Sequence, residues 1–286
     1  MNKENDSKNI AICALQKGEG IALLGSNGRE CLYPAGFLKN SAEKYPTSQN
    51  QIAIKLAKMA GILPIMLKIP ESEAPKNWQE FSEEVLSKEL EQDPQIIEVS
   101  RANLPIHGSE NSKIIAFRSL ADGVVHLSLI VGGEVVENPL VLVHSSCVTA
   151  DLLGSLRCDC CNQLALALDA MKKEGAGILL YLNQEGRGIG IANKVKAYSL
   201  QEQGLNTYQA NNALGFEDDE RDFRAAKEIL HLLGVRKIRL LSNNPHKLAA
   251  LQHLGINISE RVPVVSTPHA HNEAYLSAKQ GAGHII

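Results

Sequence analysis

The chain has 286 residues, 29 of them basic and 32 acidic, for a formal net charge of -3. Hydrophobic residues make up 44%, enough for one large domain or two smaller ones with cores of their own. The near-balanced charge excludes a global attraction to nucleic acid or to an anionic membrane, so any anion site must be local. No run approaches the roughly 18 apolar residues of a membrane span, and the start MNKENDSKNIAICALQKGEG lacks the apolar stretch of an export signal. The expectation is a soluble cytoplasmic protein whose cysteines stay reduced and available to metals.

In chain order, SQNQIAIKLAKMAG places apolar residues at Ile52, Ile54, Leu56, Met59 and Ala60, which predicts a helix stopped at Gly61, and ILPIMLKI predicts a strand. The acidic stretch 70–95, which holds the sole tryptophan, Trp78, reads as a helical linker. IIAFRSL and VVHLSLIVGG predict two strands, the second meeting a turn at Gly132 and Gly133, and VENPLVLVH resumes an extended pattern. From Cys160 onward, helices are predicted over LALALDAMKKEG, NKVKAYSLQEQG, ERDFRAAKEILHLLG and PHKLAALQHLG, and strands over GILLYL and RKIRLLS. Gly175, Gly204, Gly234 and Gly255 each follow an amphipathic run, where a left-handed residue ends a helix. The tail STPHAHNEAYLSAKQGAGHII predicts a short helix with a frayed end, and His269 and His271 are expected to face solvent. The fold class expected is α+β or α/β, a mixed sheet flanked by helices and preceded by a small α/β segment.

Cys147, Cys158 and Cys160 cluster in HSSCVTADLLGSLRCDC, whereas Cys13, Cys31 and Cys161 complete the set. Thiolates are soft ligands suited to zinc, and three protein ligands leave a fourth tetrahedral position open for hydrolytic chemistry. The competing reading is that these are small buried hydrophobes. A closed structural site would need a distant fourth ligand, and His144 is the nearest candidate.

Three further stretches can carry chemistry. NQEGRGIGIANK sets Gly186, Gly188 and Gly190 at alternate positions with Arg187 among them and Lys194 after, which suits either a phosphate cradle or a plain tight turn. GFEDDERDF places Asp218, Asp219, Glu220, Arg221 and Asp222 at a predicted helix start. There the acids either favour the helix dipole or, at Asp219, serve a phosphate-binding Arg221 as proton acceptor or orienting group. LLSNNPHKLAALQ ends a strand at Ser242 and puts Lys247 in the first turn of a helix, against the dipole; with Asn243 and Asn244 it forms a candidate anion- or purine-contacting loop.

Taken in order, HSSC, SLRCDC, QEGRGIG, KAY, ANNALGFEDDERDF and SNNPHK resemble the GTP cyclohydrolase II family over about residues 97–286. The resemblance implies a cyclohydrolase domain over residues 94–286 that converts GTP to 2,5-diamino-6-(5-phosphoribosylamino)pyrimidin-4(3H)-one, formate and pyrophosphate, the first step of riboflavin biosynthesis. It implies one zinc ion per subunit on Cys147, Cys158 and Cys160, with zinc-activated water opening the imidazole ring, and magnesium on the GTP phosphates. Asp219 becomes the proton acceptor, Arg221 the nucleophile toward the α-phosphorus, and Tyr198 the residue tied to ring opening and formate loss. GTP contacts fall on Val143, His144, Ser145, Gln163, Glu185, Gly186, Arg187, Thr207, Ser242 and Lys247. A homodimer is implied, without nucleic-acid or membrane partners.

Four positions depart from the family pattern: Leu142 stands where arginine is frequent, Ser146 where glutamate is, Ser242 where threonine is, and Cys161 where glycine is. Cys161 is expected to be a bystander thiol. Residues 1–93 resemble only a fragment of 3,4-dihydroxy-2-butanone 4-phosphate synthase, through AIKLAKMAGILPIMLKI, and lack that family's acidic magnesium cluster, so this segment is expected to be non-catalytic. The alternative, motivated by Leu142 and Ser146, is a catalytically impaired GTP-binding homologue with a regulatory or partner role.

Overall fold

The computed structural model describes residues 7–37, 45–266 and 268–285. Helix α1 (Ser7–Gln16) buries Ala11, Ile12, Ala14 and Leu15 on one face, ahead of a hairpin of β1 (Ile21–Gly25) and β2 (Gly28–Pro34). Helix α2 (Gln51–Met59) starts where Asn50 accepts the N–H groups of Ile52 and Ala53. The following strand, β3 (Met66–Ile69), is shorter than expected, since Pro64 has no N–H to give to a ladder.

The acidic stretch is not the helical linker that its composition suggests. It forms β4 (Gln79–Ser82) and then α3 (Glu83–Glu91), whose N–H at Val85 is capped by the Ser82 side chain. Phe81, Leu86 and Leu90 join Leu15, Ile21, Leu23, Leu32 and Leu56 in one core, while most of the charges remain outside. The strands order as β3-β2-β1-β4, with β4 parallel to β1. Gly20 is fixed by packing here, because a Cβ on it would lie 2.2 Å from the Trp78 ring.

Three antiparallel strands follow, β5 (Ile96–Asn103), β6 (Lys113–Ser119) and β7 (Val125–Val131). Then come β8 (Leu140–Ser145), a short α4 (Val148–Asp151), α5 (Cys160–Glu174) and β9 (Gly177–Leu182). Helix α5 ends on Gly175 in the left-handed conformation, φ 75°, and Gly204, Gly234 and Gly255 also have positive φ. Beyond lie α6 (Ile191–Glu202), an unanticipated α7 (Thr207–Ala213), α8 (Arg224–Leu232), β10 (Lys237–Leu241), α9 (Pro245–His253), an unanticipated β11 (Asn257–Val262) and α10 (Glu273–Gly281). Helix α8 begins after the acidic run, not within it. The Asp222 carboxylate accepts the Arg224 N–H at 2.9 Å, which turns the chain before the helix, so residues 218–222 are not its first turn.

Seven strands form a mixed sheet, β11-β10-β8-β9-β7-β6-β5, parallel from β11 to β9 and antiparallel from β9 to β5. Strand β8 is buried on both faces: Val141 and Val143 pack in a core with Phe117, Leu180 and Ile229, while Leu140 and Leu142 pack against Ala167, Met171 and Leu179. The chain divides into two compact units, one of residues 1–92 and 189–220, the other of residues 93–188 and 221–286. Among the described residues, no helix is long and apolar enough to cross a membrane.

Phe117 is fully buried at the centre of the larger sheet. Phe117→Ala should destabilise the second unit by about 3–5 kcal/mol. A chemical denaturation series on the purified variant, read by circular dichroism, checks it.

Candidate active site

The second unit places three chain segments at the carboxyl ends of neighbouring parallel strands. Cys147 follows β8, Glu185 to Gly188 follow β9, and Ser242 to Lys247 follow β10. Open α/β sheets offer their ligand-binding crevices at these ends. The antiparallel strands β5 to β7 carry none of the expected site residues.

The sulfurs of Cys147, Cys158 and Cys160 all lie within 4.8 Å of one another, and those of Cys147 and Cys158 are 3.8 Å apart. Tetrahedral zinc with ligand bonds of about 2.3 Å requires sulfurs ~3.8 Å apart, so the donor set fits that ion in both chemistry and spacing. Contact with Cys147, reinforced by burial, pushes the Cys158 thiol up to about 11 and holds Cys160 well above the usual thiol range. Metal binding by such a cluster is coupled to loss of the thiol protons. Cys161 is exposed and outside the cluster. His144 lies outside the group of three thiols, and its Nε2 is 3.1 Å from Asp151 Oδ2.

Asp151 ties the thiol loop together. Its Oδ2 accepts the Cys147 backbone N–H at 3.0 Å and the Tyr181 hydroxyl at 2.9 Å, besides meeting His144, whose ring stacks on that of Tyr181. Oδ1 of the same carboxylate is buried with no hydrogen-bond partner among the described residues. Glu185, also buried, accepts the Val148 N–H at 2.6 Å and the Gly186 N–H at 2.9 Å. Gln184 donates to Ser145 Oγ and accepts the Asp222 N–H. Gln163 donates to Asp159, between two of the cysteines.

A second group of side chains is cationic. Arg187 sits at φ 62°, one of two non-glycine residues with positive φ among those described, directly after Gly186 at φ 65°. Two left-handed residues in succession reverse the chain tightly there. Arg221 and Lys247 lie 5.4 and 6.0 Å from the Phe223 ring centre, and Lys247 Nζ donates to the Val143 carbonyl at 2.9 Å. Asn244 caps α9 through the His246 and Lys247 N–H groups, while Ser242 Oγ accepts the Asn244 N–H. Burial, aided by the positive charges of Lys279, Arg187, Arg221 and Lys247, pushes His284 down to about 4. Four cations acting on one imidazole mark a region of positive potential suited to a polyanion.

Tyr198, Thr207 and Asp219 belong to the other unit. Tyr198 lies on α6 with Lys194 Nζ 5.9 Å from its ring centre, Thr207 opens α7 after the Asn206 cap, and Asp219 is exposed. Leu142 is 4% exposed in the sheet core and Ser146 is buried. Sequence reasoning missed Asp151, Tyr181, Asp159, Tyr275 and Lys279. Asp151 could have been found from its place four residues after Cys147; nothing local signals the tail residues.

Cys158→Ser should weaken zinc retention by tenfold or more on the order-of-magnitude scale of lost thiolate ligation, while Cys161→Ser should leave it unchanged. Metal analysis after gel filtration separates the two.

A sequence model described as GTP cyclohydrolase II matches residues 97–263. GTP cyclohydrolase-2 of Azospirillum brasilense is 40% identical over 253 residues, covering 84% of this chain and 66% of that protein. Riboflavin biosynthesis protein RibBA of Cytophaga hutchinsonii is 50% identical over 175 residues, covering 60% of this chain and 43% of the relative. GTP cyclohydrolase-2 of Shigella boydii is 46% identical over 194 residues, covering 67% of this chain and 98% of its own length. The chain thus spans about two thirds of one longer relative, less than half of the other and nearly all of the shorter one. With more than half of its length under the family match and the motif cysteines gathered in space, the chain belongs to the GTP cyclohydrolase II family.

Proposed function

We propose that this chain is a zinc-dependent GTP cyclohydrolase II that releases formate and pyrophosphate from GTP and yields the diaminopyrimidine phosphoribosyl product. The observation that carries the reading is the set of three sulfurs within 4.8 Å, in the unit that also carries Arg187, Arg221 and Lys247. Cys147, Cys158 and Cys160 hold the metal. When bound, zinc supplies Lewis acidity that makes water nucleophilic near neutral pH, as opening of the imidazole ring requires.

The chain's own residues do the rest. Arg187 and Lys247 bind the phosphates together with magnesium, and the Glu185 carboxylate suits the N–H donors of guanine. An Arg221 nitrogen forms a bond to the α-phosphorus as the bond to pyrophosphate breaks, the electron pair leaving with pyrophosphate. Asp219, two residues earlier, accepts the guanidinium proton, without which that nitrogen has no free pair. Water then cleaves the nitrogen–phosphorus bond. Tyr198 serves the proton transfers of formate loss, and His144, Ser145, Gln163, Thr207 and Ser242 orient the substrate. Residues 94–286 form the catalytic region, residues 1–93 contribute no chemistry, and the working form is a cytoplasmic homodimer.

Leu142 is a core residue, so arginine introduced there would bury a charge rather than restore a phosphate contact. Zinc-replete protein with GTP and magnesium should release both small products, and a chelator should abolish formate release. A bound but unchanged GTP would instead fit the impaired homologue. Arg221→Ala should lower pyrophosphate release by at least about 100-fold if the residue is the nucleophile. Coupled pyrophosphate and formate assays with product mass analysis read both outcomes.

A further inference from the structure

The family match ends at residue 263, yet α10 beyond it reaches the side chains of the candidate site within the second unit. Lys279, 7% exposed, donates from Nζ to Asp159 Oδ1 at 2.6 Å. Asp159, 3% exposed, stands between Cys158 and Cys160, and its other oxygen accepts from Gln163 Nε2 at 2.7 Å. The Lys279 ammonium lies 4.8 Å from the Tyr275 ring centre, and the Arg187 guanidinium lies 5.9 Å from that same centre. The tail also meets the site beyond the helix, where the Ile285 N–H donates to the Asn243 carbonyl at 2.9 Å. One short segment thus touches the cysteine loop, the glycine-rich turn and the loop before α9.

The charges explain why such a contact is needed. Three thiolates around a divalent cation carry a net negative charge, and Asp159 adds a buried carboxylate between two of them. A buried charge without a partner is strongly unfavourable, so the carboxylate needs a cation held against it. Groups that orient ligands from behind set how firmly a metal is held. Resting on the zinc cyclohydrolase reading, we propose that Lys279 is a positioning residue of the active site. Its ammonium locks Asp159, and through it the Cys158–Cys160 loop and Gln163, in place for metal and substrate. Helix α10 is on this view one wall of the site.

The test uses the full chain as unaltered protein, Lys279→Met and Lys279→Arg, and measures zinc transfer to a chelating dye, KM and kcat for GTP, and melting temperature. Lys279→Met should release zinc about tenfold faster or more, within the usual effect of losing a group that orients a metal ligand, and should raise KM through Gln163. Lys279→Arg, which keeps the cation, should restore both to within about twofold of the unaltered chain. A lower melting temperature with unchanged zinc release, KM and kcat would reduce Lys279 to an anchor for the tail and overturn the proposal. Should Lys279→Met not fold, Asp159→Asn removes the same pair while leaving the lysine, and unaltered zinc release in that variant would overturn it equally. The unaltered chain keeps the two readings apart: if it neither retains zinc nor consumes GTP, the cyclohydrolase assignment fails and the inference with it, whereas failure in the variants alone leaves the assignment standing.

Discussion

Three thiol groups gathered within one small sphere impose the constraint on which this structure turns. As thiolates the three would repel one another, so a charged cluster is favoured only where a cation balances it. The surrounding polar groups fit that constraint. Asp151 fixes the backbone of Cys147, and Asp159 joins the loop between the other two cysteines to Lys279. Glu185 holds the N–H of Val148 and so couples the start of α4 to the turn after β9. The cysteine loop is braced from several sides.

The larger sheet explains how residues so far apart in sequence meet. Strands β8, β9 and β10 run parallel, and each delivers its following loop at the same end of the sheet. The antiparallel strands extend the core without contributing to the site. Strand β8 has no solvent face, which is why its apolar residues read as a continuous run and why Leu142 is a packing residue.

Much of this could be read from the sequence because the evidence was local. The spacing of Cys147, Cys158 and Cys160 announced a cluster of thiols, and glycine after amphipathic runs marked helix ends at Gly175, Gly204, Gly234 and Gly255. The site partners were harder to see where they depend on tertiary contact. Nothing in AYLSAKQG declares that Lys279 meets Asp159, since the two are far apart in the chain and lysine in a tail is ordinarily solvated. The acidic stretch misled for a related reason: composition reports the solvated face, while Phe81, Leu86 and Leu90 carry the fold. Helix α7 escaped notice because its start rests on the reciprocal side-chain bonds of Asn206 and Gln209 and not on apolar periodicity.

Arg187 bears a cost of a different kind. A side chain in the left-handed region is disfavoured by about 1 kcal/mol relative to ordinary helical backbone, whereas glycine would occupy the same turn almost freely. The neighbouring Gly186 shows the relaxed solution one residue away. Stability alone would therefore replace this arginine, and the proposed phosphate contact gives a reason to keep it. If that contact is made, the turn is a point at which a more robust protein and a more competent one would have different sequences.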